Sequence, residues 1–483
     1  MTKSLLDLNP KRIWNHFYDL TRIPRPSGHE QQVIEHIKQF AGQLSLDYKI
    51  DTTGNIIVRK KAYPQKENVG GIILQAHVDM VPQKNSSKVH DFLNDPIETI
   101  IDGEWVRANQ TTLGADNGIG IAAILTIMES QDVQHGPLEA LFTVSEETGM
   151  DGAAGLDKND LSGNILLNLD SEDEGELYIG CAGGIDLNIN WTYRADELKA
   201  GSGYKISLSG LKGGHSGIDI NLGRANANLS LLNILDSLSK EIHFQLVSFS
   251  GGNLRNAIPR ESEAVITVDT KDVKKLQNQL EVLGNEMKNK YSDVEQSILI
   301  ECKSVPTELP GMNPDEQMKF TALVLNCPDG VIAMSKHIPG VVETSNNIAI
   351  VNVERGKVEV KTLLRSSDNS EKIKIAEKIK KSFEEKKTNV ELNNGYPGWL
   401  PDPDSKILHV AKEIYRKEFG NKPEVKVIHA GLECGIIGGK MPGLDMISFG
   451  PTIRHPHSPD EKVNIGSVEK FWKFLKALLE AYE

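Results

Sequence analysis

The sequence has few cysteines and no long apolar run, and these absences exclude several classes of protein. Its 483 residues include only 4 cysteines, none in a C-x-x-C motif, so neither a disulfide scaffold nor a thiolate zinc site is predicted. No apolar stretch reaches the roughly 18 residues that a membrane span needs, and the first residues lack the apolar core of a signal peptide. We therefore expect a cytoplasmic protein with reduced thiols and no membrane partner.

The chain also lacks an excess of positive charge. It has 54 Lys and Arg residues against 67 Asp and Glu residues, which gives a formal net charge of −13. This balance argues against nucleic acid as a partner and leaves room for a site rich in carboxylates. The length predicts about two to four domains.

The most informative stretch is the apolar run 71–76, which leads into His77 and Asp79. Residues i and i+2 of a strand point to the same face, so these two side chains should lie side by side at the strand end. A metal-binding imidazole commonly donates its second N–H to a carboxylate, which fixes the tautomer. The pattern fits a metal-binding histidine with an orienting aspartate, although a plain strand that ends in a polar turn has the same pattern.

Two further apolar runs are each followed by acids: Glu146 and Glu147 after 138–144, and Asp170 after 164–169. Ligands of open α/β sheets bind outside the carboxyl ends of the strands, so these acids should converge with His77. Adjacent glutamates on a strand point opposite ways. At a strand end, however, one can bind a metal while the other acts on water.

Asp116 precedes an apolar helix predicted over 119–129. It either caps that helix or turns toward a ligand. Imidazole and carboxylate ligands without thiolate suit zinc or a similar divalent ion. A carboxylate that can bridge suits a two-metal site with ions about 3.5 to 4 Å apart.

The order of predicted elements indicates an α/β protein with an inserted domain. Residues 1–190 and 394–483 carry the elements of a mixed, mostly parallel sheet flanked by helices. Residues 191–393 have the predicted element order βαββαβ, followed by a partial repeat of this order that starts at a helix predicted over 314–326. We expect a split domain and an inserted α+β domain of two ferredoxin-like halves.

With these motifs the sequence resembles the M20 family of co-catalytic zinc peptidases, most closely its aminoacyl-histidine dipeptidase branch of cytosol non-specific, Xaa-His dipeptidases. The matching motifs are AHVDMVP at 76–82, LGADNGIG at 113–120, SEETGM at 145–150, NLDSEDEGE at 168–176 and HPHSPDE at 455–461. Together with the split domain, their order and spacing cover essentially the whole chain.

The resemblance implies two zinc ions per chain, with cobalt or manganese able to substitute. The implied ligands are His77 and Asp170 for one ion, Glu147 and His457 for the other, and Asp116 as the bridge. Asp79 would orient His77, and Glu146 would be the general base. His455 lies two residues before His457 and stays open as an alternative ligand.

By the same resemblance the split domain is catalytic and the inserted domain is a lid. His215, in GLKGGHSGIDI, would stabilise the oxyanion, and Asn256 and Arg365 would hold substrate. Gly435, in a glycine-rich turn predicted over 429–439, would line the pocket. Simpler interpretations are that His215 is an incidental histidine of a glycine-rich turn, that Arg365 is an exposed strand residue and that Gly435 lies in a plain tight turn.

The implied function is that of a di-zinc dipeptidase for dipeptides with free N- and C-termini, including Xaa-His dipeptides. The main alternative is a same-fold aminoacylase, deacetylase or carboxypeptidase on N-acyl amino acids or longer peptides. A non-catalytic metal-binding protein is disfavoured because it has no need of Glu146, and a metallophosphoesterase would need more histidines and basic phosphate contacts. The expected partner is a small peptide, and both a monomer and a homodimer stay open.

Overall fold

The chain forms two compact units. The structure is a computed structural model that describes residues 4–196, 201–307, 310–336 and 338–482. The first unit comprises Met1–Cys181, Trp399–Val427 and Leu432–Glu483, and the second comprises Ala182–Gly398 and Ile428–Gly431. From the sequence we predicted domain limits between residues 190 and 191 and between residues 393 and 394. These limits fall inside two strands of the second unit, Gly183–Thr192 and Asn389–Tyr396, and they stay a prediction.

Helices and strands are numbered along the chain. The α-helices are α1 (Lys11–Thr21), α2 (Gln31–Gln43), α3 (Ala115–Glu129), α4 (Glu146–Gly149), α5 (Asp151–Gly155), α6 (Ala227–Ser239), α7 (Val273–Lys290), α8 (Pro314–Leu325), α9 (Asn369–Glu384), α10 (Lys406–Phe419), α11 (Glu433–Lys440) and α12 (Ile465–Ala481). None of these described helices combines the length and the apolar character needed to cross a bilayer.

The strands fall into the first unit, the second unit and the returning C-terminal part of the first. They are β1 (Asp47–Ile50), β2 (Ile56–Lys60), β3 (Ile72–His77), β4 (Thr99–Asp102), β5 (Trp105–Ala108), β6 (Leu138–Thr143), β7 (Ile165–Asn168), β8 (Glu176–Cys181), β9 (Gly183–Thr192), β10 (Ala195–Asp196), β11 (Ser202–Ser209), β12 (Gly214–His215), β13 (Phe244–Gly251), β14 (Ala257–Ile258), β15 (Ser262–Val268), β16 (Leu299–Ser304), β17 (Gly311–Met312), β18 (Gly330–Met334), β19 (Val342–Glu354), β20 (Lys357–Ser366), β21 (Asn389–Tyr396), β22 (Glu424–Ile428), β23 (Asp445–Ser448), β24 (Ile453–Arg454) and β25 (Lys462–Asn464).

The main sheet of the first unit is mixed, as predicted. Its order is β1-β2-β6-β3-β7-β23-β8-β22. The central strands β6-β3-β7-β23 pair parallel, while β1 with β2, β2 with β6 and β8 with β23 pair antiparallel. Every residue of β3, β6 and β7 is buried, which explains why most of their residues are apolar.

The parallel register brings the ends of the central strands to one edge of the sheet. His77, the last residue of β3, is paired with Thr143, the last residue of β6. Gln75 of β3 is paired with Asn168, the last residue of β7. The side chains that follow these three strands therefore start from neighbouring positions.

The second unit contains a nine-stranded sheet with β16-β11-β15-β13-β19-β20-β9-β21 as its main path, and β18 pairs with β19. The second unit consists of two halves, each with the element order βαββαβ, and in each half the fourth strand pairs with the first. One half is β11-α6-β13-β15-α7-β16, and the other is β9-α8-β19-β20-α9-β21. From the sequence we predicted that the second half begins at α8, without β9, because the whole first half is inserted between these two elements.

The segment 429–439 is not the glycine-rich turn that we predicted. Helix α11 begins at Glu433 inside it, and Gly435 is buried in that helix. At Gly438 a Cβ atom would lie 2.6 Å from the Met446 Cε atom of β23. A larger residue at this position would have to displace the end of the Met446 side chain, so the glycine suits a helix packed close to the sheet, which a sequence pattern cannot distinguish from a turn.

Candidate metal centre

Strand ends supply three of the predicted site segments. His77 ends β3, and Asp170 follows β7 by two residues. After β6 the chain passes through Ser145, whose φ of 54° is left-handed, and then begins α4 with Glu146 and Glu147. This turn separates the two glutamates from the strand, so they are not constrained to opposite faces of the sheet.

His77 lies among three carboxylates. Its Nε2 atom is 3.0 Å from Asp116 Oδ1 and 3.2 Å from Asp170 Oδ1, and its Nδ1 atom is 3.3 Å from Asp79 Oδ1. Burial alone lowers the pKa of His77, but the three carboxylates raise it well above its usual value. The side-by-side position of His77 and Asp79 that the i, i+2 spacing predicts is confirmed.

Asp79 also organises the acidic turn. Its carboxylate accepts hydrogen bonds from Ser27 Oγ at 2.8 Å and from the backbone N–H groups of Glu146 and Glu147 at 3.0 and 3.2 Å. Burial raises the pKa of Asp79, but His77 and these donors bring it down to about 2. Asp79 therefore stays ionised and joins the end of β3 to the start of α4.

Asp116 faces two histidines rather than capping a helix. Its Oδ1 atom is 3.0 Å from His77 Nε2, and its Oδ2 atom is 3.3 Å from His457 Nε2. The backbone at Asp116 is not helical, with φ −82° and ψ 110°, and Gly114 occupies the N-cap position of α3. Each oxygen of this carboxylate is thus directed to a different side of the site.

His457 completes the second side. It lies between β24 and β25, and its Nε2 atom is 2.9 Å from Glu147 Oε2. Hydrogen bonds with Asp116 and Glu147 raise the pKa of His457 to about 11. His455 belongs to none of the possible metal-binding groups in the described part of the chain.

Within the described ranges, ligand atoms come within 4.8 Å of one another in three groups: His77, Asp116 and Asp170; Asp116, Glu147 and His457; and His77, Glu146 and Glu147. The first two groups share Asp116 and contain only imidazole and carboxylate, a donor set that suits zinc or a similar divalent ion. Glu147 Oε1 is buried without a hydrogen-bond donor. A buried carboxylate oxygen needs a donor or a cation, and the described residues supply no donor to this one, so these residues fit metal ions.

Comparison with known proteins shows which family the chain belongs to. A model of the Peptidase family M20/M25/M40 matches residues 73–481, which is most of the chain. The chain belongs to this family. The resemblance inferred from the motifs is confirmed, and membership makes the protein a peptide hydrolase of a family that uses divalent metal.

Two relatives match this M20 peptidase over nearly its whole length. The cytosol non-specific dipeptidase of Escherichia coli K12 is 43% identical over 477 residues, which cover 99% of this chain and 98% of that protein. The crystal structure of an aminoacylhistidine dipeptidase from Vibrio alginolyticus has a TM-score of 0.94 at 43% identity, with 100% and 98% of the two chains covered. Aminopeptidase PepT from Bacillus cereus, with a TM-score of 0.57 at 16% identity over 98% of both chains, shares the fold alone.

Two buried acids of this M20 peptidase, Asp170 and Glu146, have raised pKa values. Burial raises the pKa of Asp170 to about 6; nearby Asp116 and Glu147 add to the rise, and His77 opposes it. Burial likewise raises the pKa of Glu146 well above its usual value, and the charges of Asp170 and Glu147 contribute. Such crowding of carboxylates is relieved by a cation, and a raised carboxyl pKa suits proton transfer near neutral pH.

In the second unit, the contacts of His215 define its tautomer. His215 ends β12, and its Nδ1 atom accepts hydrogen bonds from the backbone N–H groups of Gly217 at 3.2 Å and Ile218 at 3.0 Å. Burial and the charge of Arg365 lower the pKa of His215 to about 4. The ring is therefore neutral near pH 7 with its proton on Nε2, which leaves Nε2–H as a donor.

Arg365 is not the exposed strand residue of the simpler interpretation, since only 5% of it is exposed. Its Nη1 atom donates to Tyr396 Oη at 3.0 Å, and its buried Nε–H has no acceptor among the described residues. No described carboxylate lies within 4.0 Å of its guanidinium. A buried arginine without an acidic partner is a ready binding group for a carboxylate from outside the chain. Asn256 is exposed, and its backbone oxygen accepts from Ser216 N–H at 2.8 Å, next to His215.

His429 also lies in this region, although no motif of the sequence predicted a role for it. Its Nε2 atom is 2.7 Å from Ser345 Oγ, and Ser345 is the β19 partner of Arg365 in β20. Burial, Arg365 and His215 lower the pKa of His429 to about 3. Its segment lies more than 60 residues along the chain from Arg365, so no local pattern in the sequence could have linked the two.

Proposed function

We propose that this chain is a dipeptidase that holds two divalent ions and hydrolyses dipeptides with free N- and C-termini, Xaa-His dipeptides included. Zinc is the first candidate metal, with cobalt or manganese as substitutes. The observation that carries the proposal is that the two oxygens of Asp116 face His77 and His457 separately. The substrate class is supported by the two dipeptidases that are 43% identical, and the cytoplasm by the name of the first.

The proposed ligands follow from the two groups that share Asp116. His77 and Asp170 would hold one ion, Glu147 and His457 the other, and Asp116 both. Asp79 would fix the His77 tautomer by accepting its Nδ1–H, as carboxylates commonly do for metal-binding histidines.

Bound divalent ions supply Lewis acidity, which polarises a carbonyl oxygen and lowers the pKa of a water molecule from about 15.7 toward 7. Glu146 then accepts the proton of the attacking water and returns it to the leaving amine. Its buried carboxyl has the raised pKa that this exchange requires. His215 donates Nε2–H to the carbonyl oxygen as negative charge develops, which is worth about 3 kcal/mol per donor in comparable sites.

We assign substrate binding to Arg365, Asn256 and Gly435. Arg365 would bind the C-terminal carboxylate of the dipeptide, because its guanidinium can donate two parallel hydrogen bonds. A monomer and a homodimer both remain candidate assemblies, and light scattering of the purified chain decides between them.

The first prediction concerns metal content. Purified protein should carry up to two divalent ions per chain, and a chelator should remove them together with the activity, since the proposed water activation depends on them. Elemental analysis before and after chelation, followed by titration with zinc, cobalt or manganese, tests this. Dipeptide hydrolysis by protein that contains no metal would exclude the two-metal function.

The substrate class is tested with a panel of dipeptides, tripeptides and N-acyl amino acids on the metal-loaded protein. We expect the highest kcat/KM with dipeptides. A preference for N-acyl amino acids would favour the aminoacylase or deacetylase alternative, and a preference for longer peptides would favour a carboxypeptidase.

The second prediction tests Arg365. Replacement by alanine should lower kcat/KM for a dipeptide by roughly 10²-fold, because hydrogen bonds to charged groups are worth about 1.5 to 3 kcal/mol each. The same dipeptide with an amidated C-terminus is the control, since it has no carboxylate to lose. Arg365→Lys keeps the charge without the bidentate geometry and should recover only part of the loss. Equal losses on both substrates would show that Arg365 is structural.

A further inference from the structure

Glu461 is a fully buried carboxylate that binds the backbone of the Asp116 loop. It is 2% exposed. The backbone N–H groups that donate to it are those of Leu113 at 2.6 Å, Gly114 at 2.9 Å, Ala115 at 2.7 Å and Asp116 at 3.3 Å. Two of these donors reach Oε2 and two reach Oε1, so both oxygens of the carboxylate are engaged by one turn of backbone.

Arg25 binds the carbonyl oxygens of the same region. Its Nη1 atom donates to Val78 O at 2.8 Å and Asp79 O at 2.9 Å, and its Nη2 atom donates to Gly114 O. A Cβ atom at Gly114 or Gly118 would lie 2.6 or 2.8 Å from Nη2. Glycine is therefore required at both positions for the guanidinium to fit against the loop.

This loop needs external support because it is not regular helix where Asp116 lies. Asp116 has extended ψ, and its side chain must direct one oxygen to His77 and the other to His457. Glu461 lies four residues after His457 in the same segment. One segment thus carries both a histidine of the site and the carboxylate that holds the opposing loop.

We propose that Glu461 is a positioning residue that sets the location of the Asp116 carboxylate, and through it the affinity of the shared metal site. It acts on the backbone of residues 113–116. The inference rests on the proposed two-metal function and adds to it the group that fixes the bridging ligand.

The test is Glu461→Gln, measured against Glu139→Gln. Glutamine keeps the size but presents an NH₂ group to two of the four N–H donors, so the loop must shift. Partners of metal ligands typically contribute 10- to 100-fold, so we expect the metal Kd to rise and kcat to fall by about that range, with KM for a dipeptide within about twofold. The metal Kd is measured by chelator competition, well below the unfolding temperature.

Glu139 is a matched control because it is also a buried carboxylate that binds backbone. It is 5% exposed, accepts from the N–H groups of Ser162 at 2.7 Å and Gly163 at 2.8 Å, and lies near the start of β6, away from the strand ends that carry the site. Glu139→Gln should lower the unfolding temperature and leave the metal Kd and kcat unchanged.

A purely structural role of Glu461 predicts that both variants lose stability while metal Kd and kcat stay at the wild-type values, and that result overturns the inference alone. Absence of divalent metal binding by the unsubstituted chain would instead remove the proposed function, and the inference with it. If Glu461→Gln does not fold, Glu461→Asp takes its place. It keeps both acceptor oxygens but is one methylene shorter, and the same direction of change in Kd is required.

Discussion

Glu146→Gln should lower kcat by about 10²- to 10⁴-fold, the range that general acid-base catalysis contributes. The upper part of this range is expected because the proposed mechanism assigns both proton transfers to the same carboxyl. Glutamine keeps the side-chain length and the backbone N–H that donates to Asp79 at 3.0 Å, so the turn before α4 should be preserved. Metal content and KM should therefore stay close to their wild-type values.

The matched control is Glu147→Gln, because the two glutamates are adjacent and the backbone N–H group of each donates to the Asp79 carboxylate. Glu147 Oε2 is 2.9 Å from His457 Nε2, so its replacement should weaken one metal site. Added zinc should restore part of the activity of this variant and none of that of Glu146→Gln. Metal stoichiometry and kcat are measured side by side. An active Glu146→Gln protein, or one that loses its metal as Glu147→Gln does, would reverse the two assignments.

Asp116→Asn should remove metal from both sides of the site. The substitution keeps the shape of the side chain but replaces the charge that faces both His77 and His457. Lewis-acid stabilisation is worth several kcal/mol, and each 1.36 kcal/mol corresponds to tenfold in rate, so kcat should fall by roughly 10³-fold or more. The Asp116→Asn protein should contain less metal per chain than the Asp170→Asn protein, because Asp170 belongs to only one of the two ligand groups that share Asp116.

His455→Ala is the control for the Asp116 experiment. His455 is an exposed neighbour of the site that belongs to none of the described ligand groups, so its removal should leave metal content and kcat unchanged. His457→Ala should lose metal. Loss of metal from His455→Ala, with a His457→Ala protein that keeps it, would move the ligand assignment by two residues.

The strand-end residues of the site could be predicted because their information is local. An apolar run followed by His77 and Asp79 implies a buried strand whose i and i+2 side chains share a face, and the structure has both atoms 3.3 Å apart. The runs before Glu146 and Asp170 are likewise read from consecutive residues. Parallel pairing then brings their ends together, since strands buried on both faces have few other arrangements.

The sequence by itself determined which side chains stand at the strand ends, and the match of its motifs identified the family. Only the tertiary structure decided how Asp116 divides its two oxygens, where His429 lies, and that Glu461 and Arg25 hold the Asp116 loop. These contacts join segments up to several hundred residues apart, and they depend on packing and on backbone hydrogen bonds that leave no periodic pattern in the chain. The same reason explains why two predictions from the sequence are wrong. Strand β9 is separated from the rest of its half by an insertion, and Gly438 lies in a helix beside Met446 of β23 rather than in a turn.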